Sequence, residues 1–204
     1  MKKDTKKTLY KLMPIFLIVL YFIGPMIFGE YLTFLITLMS IMMIVSQGLN
    51  VMIGFAGQFS FGQPGFMGFG AYFGAILATK MPWIPFPLTI IIVGTSAALL
   101  GFIIGFPCLR LSGFYLAMAT FGFSAAIFEL INYLGPLTGG NAGMYAPAAS
   151  IGSWKLSTTD HVYYIVGITL VMVLFMVGHI SKTRTGRAWN AIRDDEIAAS
   201  SMGI

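Results

Sequence analysis

GLNVMIGFAGQFSFGQPGFMGFGAYFG, residues 48 to 74, is the stretch whose reading decides the fold. It has no charged residue, eight glycines, a proline at Pro64 and the amides Asn50, Gln58 and Gln63. In a helix each glycine costs roughly 1 kcal/mol relative to alanine. A bilayer offers no water to an unpaired backbone group, so a helix broken inside it must bury the break in protein or line a wet cavity. The break points are Gly54-Phe55-Ala56-Gly57 and Gly62-Gln63-Pro64-Gly65. Two readings stand here: a polar path through a membrane protein, or close helix packing through small residues.

Composition supports the membrane. Of 204 residues, 57% are hydrophobic and 9% charged, against about 25% charged in an average soluble domain. The mean hydropathy is +0.86. The net charge of +5 gathers near the two ends, which suits a topology signal and not a nucleic-acid stripe. The single cysteine, Cys108, excludes an intrachain disulfide and a cysteine metal cluster, and reads as a small apolar filler.

Working outward, residues 1–11 form a basic leader with five lysines, and residues 12–180 a transmembrane domain. A first span covers Leu12 to Gly29. It is longer than the apolar core of a signal peptide and lacks a small-residue cleavage pattern. The 49 uncharged residues from Tyr31 to Thr79 hold two spans of about 20 residues each, Leu32 to Ile53 and Phe59 to Thr79. The second carries Gly70, Gly74 and Ala78 at four-residue spacing, a packing face. A turn at Lys80 to Pro87 with Trp83 leads to a span at Leu88 to Cys108, with Ala97, Gly101 and Gly105 on one face. Leu111 to Tyr133 follows, with Thr120, Ser124 and Asn132. Glu129 lies about one turn from its end and reads as an interfacial carboxylate. Residues 135–160 form an external loop, and Val162 to Ile180 is the sixth span, flanked by His161 and His179, which read as interfacial. Residues 181–204 make a charged tail of two short helical pieces. Arg187 to Arg193 is the first, and Asp194 N-caps the second. The expected class is therefore all-α and polytopic, with about six transmembrane helices.

The clusters at residues 2–11 and 182–193 both belong in the cytoplasm by the positive-inside rule. Both termini are then inside, which requires an even number of spans, and six meets it.

Chemistry narrows the function classes. Thr138-Gly139-Gly140-Asn141 lacks the spacing of a phosphate-binding loop, and no nucleotide, metal or other cofactor motif occurs. Ser124 in Gly122-Phe123-Ser124-Ala125 lacks the second glycine of an intramembrane serine protease. What remains is transport or a structural membrane role. Asn50, Gln58, Ser60 and Gln63 are the candidate path-lining residues, since neutral amides and hydroxyls meet a polar solute without burying a charge. Hydrogen bonds between helices are the alternative use of the same groups. The tail offers charges of both signs, either as a solvated surface or as a dock for a soluble motor.

The residue 48–74 stretch resembles the signature of branched-chain amino acid ABC transporter permeases, the LivM-like group. LRLSGFYLAMATFGF at Leu109 to Phe123, LTGGNAGM at Leu137 to Met144 and TRTGRAWNAIRDDEIAASSMGI at Thr183 to Ile204 resemble it too, in the same order. The resemblance implies a permease subunit of the bacterial plasma (inner) membrane that is not itself an enzyme. Its implied partners are membrane lipid, a second permease subunit, two ATP-hydrolysing subunits and an extracytoplasmic solute-binding protein. Arg187, Arg193, Asp194, Asp195 and Glu196 are implied to form the coupling segment that grips the ATPase. Family members extend further, so the chain stops where another span is expected. Gln63-Pro64 stands where relatives often have histidine and a small residue, and related permeases carry urea or short amides. A stand-alone channel or secondary carrier for a small neutral solute is the other transport reading, and a non-transporting scaffold a third.

Overall fold

Long apolar runs become the long helices of the chain. The computed structural model describes residues 18, 20–108, 110, 111, 113–147, 150, 151, 154, 155 and 159–203, with the side chains of 150, 151, 154, 155 and 196 excepted. The basic leader expected at residues 1–11 lies outside the described residues, as does much of the first expected span. Helix α1 occupies residues 20–27. Then come α2 (Glu30–Leu49), which runs on as a π-helical turn (Asn50–Phe55), α3 (Gln63–Lys80), α4 (Phe86–Cys108), α5 (Phe114–Tyr133) and the short α6 (Gly135–Thr138). Helices α7 (Thr159–Ile180), α8 (Arg184–Asp194) and α9 (Glu196–Ser201) complete the chain.

Among the described residues four helices are long and apolar enough to cross a membrane: Glu30–Phe55, Phe86–Cys108, Phe114–Tyr133 and Thr159–Ile180. Four such helices stand where six were expected, and residues 12–17 and 19 of the first expected span lie outside the described residues. Helix α3 has 18 residues, but four glycines, Gln63 and Lys80 dilute its apolar character. The stretch expected to be a loop, residues 135–160, carries more regular structure than expected. It contains α6, a 3-10 turn (Gly140–Ala142) and a two-stranded antiparallel hairpin, β1 (Ser150–Ile151) and β2 (Trp154–Lys155), with Ser150 opposite Lys155. Buried Thr138 ties the loop to α5: its hydroxyl donates to the Ile131 carbonyl at 2.6 Å and accepts from the Gly140 amide at 3.1 Å.

The chain divides into two compact units, Met1–Ile44 with Thr158–Phe175, and Val45–Ser157 with Met176–Ile204. The first is organised around tyrosines. Tyr163, 1% exposed, stacks on Tyr21 with ring centroids 4.5 Å apart and donates its hydroxyl to the Tyr21 carbonyl at 2.6 Å. The Tyr21 hydroxyl in turn pairs with Ser40 Oγ at 2.9 Å. Gly167 leaves room for the Tyr21 ring, which a β-carbon there would strike. Thr33, Thr37 and Ser40 are buried along one face of α2, their hydroxyls donating one turn back to carbonyls. That satisfies each hydroxyl without a second helix.

The second unit holds the broken segment. Helix α3 packs on α4 through the small-residue face, with Gly70 and Gly74 opposite Val93. It packs on α5 through Gly65, whose absent β-carbon would lie 2.9 Å from Ser124 Cα and 3.0 Å from the Phe123 ring. The Phe66 and Phe123 rings add a tilted contact at 4.9 Å.

Candidate functional site

The site begins where α2 fails. From Asn50 the helix widens into a π turn, with the Ala56 amide reaching back to the Val51 carbonyl and the Gln58 amide to the Met52 carbonyl. Such turns are rare and occur mostly as single turns inside α-helices. Gly57 then takes φ +69°, the left-handed conformation in which glycine ends helices at no steric cost. Residues 57–62 run without regular structure until Gln63 starts α3. Pro64 sits in the first turn of α3, where its missing N–H costs nothing. It therefore starts a helix: the break opens at the first expected point, where the π turn ends at Phe55, and closes at the second, where Gln63 begins α3.

Backbone freed by the break finds partners on α5. The Phe61 amide donates to Thr120 Oγ1 at 3.0 Å. Ser124 Oγ donates to the Phe61 carbonyl at 2.7 Å and accepts from the Gly65 amide at 3.2 Å. Thr120 and Ser124 are four residues apart and so share a helix face. Their hydroxyls replace the water that a bilayer lacks. The sequence showed both as polar groups in an apolar span, but their target was not legible in it.

At the other side of the break stands the tail. Arg193, near the end of α8, donates Nη1 to the Gly54 carbonyl at 2.7 Å. A helix leaves its last carbonyls unpaired and carries partial negative charge at that end, so a guanidinium there is favourable twice over. The fit is close: a β-carbon on Gly57 would lie 2.5 Å from Arg193 Cγ. Helix α8 itself is capped by Thr183, whose hydroxyl accepts from the Gly186 amide. The tail bends one residue later than expected. Asp194 closes α8, and Asp195 is the N-cap of α9, accepting from the Ile197 and Ala198 amides at 2.9 Å each. The correction has a local reason: Asp195 has the extended backbone a cap requires, while Asp194 is still helical.

These elements enclose a cavity of about 740 Å³. Of the four path candidates it is lined by Gln58, Ser60 and Gln63, and Asn50 is not among its lining residues. Asn50 is exposed, and its amide oxygen stands where a β-carbon on Gly54 would go. Ser60 is 5% exposed and its hydroxyl accepts from the Gly62 amide at 3.2 Å, so it also holds the local turn. The Gln63 amide lies against Gly48. Arg193 lines the same cavity, together with Arg110, Phe66, Gly101, Gly105 and Thr120, none of them among the path candidates read from the sequence. Of the other expected coupling residues, Arg187 and Asp194 are exposed. Asp194 pairs with Arg193 at 3.5 Å in solvent, a contact of small energetic value. The Glu196 side chain lies outside the described residues. Glu129 is exposed on α5. A second cavity of about 530 Å³ between α3 and α4 is lined by Gly70, Gly74, Ala78 and Val93. Among the described residues its one hydroxyl, Thr89, is turned to the Pro85 carbonyl, which leaves little for a polar solute. Among the described residues no cluster of side chains could hold a metal ion.

Comparison with known proteins bears on the family of the chain. The model of the family described as branched-chain amino acid transport system, permease component, matches residues 31–204. The high-affinity branched-chain amino acid transport system permease protein LivM of Escherichia coli (strain K12) is 33% identical over 218 residues, 95% of this chain and 51% of that protein. The protein of the same description from Salmonella typhimurium (strain LT2) is 32% identical over 195 residues, 82% of this chain and 45% of that protein. The chain thus spans about half the length of the curated relatives it matches. No solved structure matches it. Membrane-length helices and bacterial relatives along most of the chain make it a multi-pass bacterial inner-membrane protein. A glycine-broken segment, the α5 hydroxyls that hold it and a matched span from Tyr31 to the last residue lead to one assignment: the chain belongs to the family of branched-chain amino acid transport permease components.

Proposed function

We propose that the chain is the membrane-spanning permease part of an ATP-binding-cassette importer for branched-chain or related amino acids. One observation carries the reading: the Arg193 guanidinium sits on the Gly54 carbonyl at 2.7 Å. Through it, a short charged helix of the tail touches the helix break that lines the polar cavity. In the proposed mechanism separate ATPase subunits push on α8 and α9, and the push reaches the break through Arg193. Arg187, Asp194, Asp195 and Glu196 then face the ATPase. A second permease subunit and an external solute-binding protein complete the assembly. The chain itself hydrolyses nothing and needs no cofactor. Both termini are cytoplasmic in this reading, with α3 and the segment at residues 12–29 supplying the spans beyond the four apolar helices. Gln58, Ser60 and Gln63 present neutral polar groups to the passing solute.

The test is uptake by vesicles carrying the permease with its ATPases and binding protein. Labelled leucine should accumulate only when ATP is inside the ATPase-facing compartment, and urea or acetamide should not accumulate. Leucine flux without ATP or partners would favour a stand-alone carrier, and ATP-driven uptake of urea alone would move the chain to the short-amide branch.

A further inference from the structure

Two arginines, Arg110 and Arg193, line the cavity beside the helix break, and among the described residues no carboxylate does. Arg110 is exposed and makes no hydrogen bond or ion pair among the described residues. Arg193 commits two of its N–H groups, one to the Gly54 carbonyl and one to Asp194 at 3.5 Å. A guanidinium has five such donors, so most remain. The Asp194 side chain is 74% exposed, and solvent screens its partial neutralisation of Arg193. The rest of the lining mixes apolar side chains, among them Met52, Phe66, Ile104 and Leu116, with the neutral polar Gln58, Ser60, Gln63 and Thr120. Planar cationic donors in one cavity with aliphatic and aromatic side chains suit a small ligand that carries both a carboxylate and a short hydrocarbon.

We infer that this cavity binds the carboxylate of a small aliphatic solute, with Arg110 and Arg193 as the receiving groups. The inference rests on the importer reading only for the direction in which the solute crosses. Binding itself needs neither ATP nor a partner chain. Arg193 then has two duties, capping the broken helix and meeting the solute, and a displaced tail would withdraw both at once.

Cys108, the only cysteine in the chain, lines the same cavity and reports on it without engineering. The purified chain in neutral-lipid nanodiscs is treated at low ionic strength with an anionic or a cationic methanethiosulfonate. A cleft lined by one sign of charge concentrates counter-ions, so at low ionic strength the anionic reagent should modify Cys108 roughly tenfold faster. Isovalerate should slow the reaction, and isovaleramide, alike in shape but uncharged, should not. Arg110→Gln should reduce both the preference and the protection while leaving the Gly54 contact intact. Arg193→Gln should do the same, and Arg193→Lys, which keeps the charge, should restore them. Equal rates for the two reagents, equal protection by acid and amide, or protection that survives both glutamine variants would overturn the inference. So would arginine-dependent shielding of Cys108 by anionic lipid alone that isovalerate cannot reproduce, since the occupant would then be a lipid headgroup. Failure of the importer reading has a different signature, an absence of ATP-driven leucine uptake with carboxylate protection intact.

Discussion

Replacing Ser124 with alanine should loosen the broken segment without disturbing the helices around it. The serine hydroxyl serves two backbone groups, the Phe61 carbonyl at 2.7 Å and the Gly65 amide at 3.2 Å, and alanine serves neither. Hydrogen bonds within membrane bundles average about 0.6 kcal/mol each, which sets a floor near 1 kcal/mol for the pair. A buried group left unpaired costs about 1–3 kcal/mol, and Ser124 is only half-buried, so the loss should be about 1–3 kcal/mol in all. The assay is amide hydrogen exchange in detergent micelles. Local opening at Gly65 should become roughly 5- to 150-fold faster, in proportion to that free energy. Thr79→Ala is the control, because its hydroxyl only bonds back to the Ala75 carbonyl on an exposed face. Its effect should stay within about 0.5 kcal/mol. Unchanged Gly65 protection in Ser124→Ala would refute the claim that α5 hydroxyls hold the break.

Other perturbations separate the remaining parts of the account. Gly57→Ala forces a β-carbon onto a left-handed backbone and against the Arg193 side chain, and should destabilise the chain by at least about 1–2 kcal/mol in thermal unfolding. Tyr163→Phe keeps the stacking on Tyr21 and removes the bond to its carbonyl, so unfolding should show a loss of about 0.5–1.5 kcal/mol. Asp195→Ala removes the cap of α9 and should cost about 1 kcal/mol, read as faster exchange at the Ile197 and Ala198 amides with α8 unaffected.

The break was legible as a place and not as a geometry. Glycine density marked Gly54 to Gly65 as a stretch no ordinary membrane helix would carry, and the helix does end there. The π turn was not legible, since no residue type specifies it. Pro64 illustrates the same limit: proline breaks a helix interior and starts a helix equally well, and only the position of Gly62 and Gln63 decides. Thr120 and Ser124 were visible as hydroxyls in oil, yet partners 59 and 63 residues away leave no local trace. The tail corner was misplaced by one residue because two adjacent aspartates offer the same capping chemistry, and the backbone angles at Asp195 settle the choice. Arg193 was read as a charge for an external partner, and its reach to Gly54 needed the fold.

Coupling through Arg193 is the centre of the account, and simultaneous measurement of ATP hydrolysis and leucine uptake in reconstituted vesicles tests it most directly. A charge-assisted hydrogen bond is worth about 1.5–3 kcal/mol. In Arg193→Glu, uptake per ATP hydrolysed should therefore fall roughly tenfold or more, with the permease still inserted and hydrolysis continuing. An unchanged ratio of leucine taken up to ATP consumed would contradict the account.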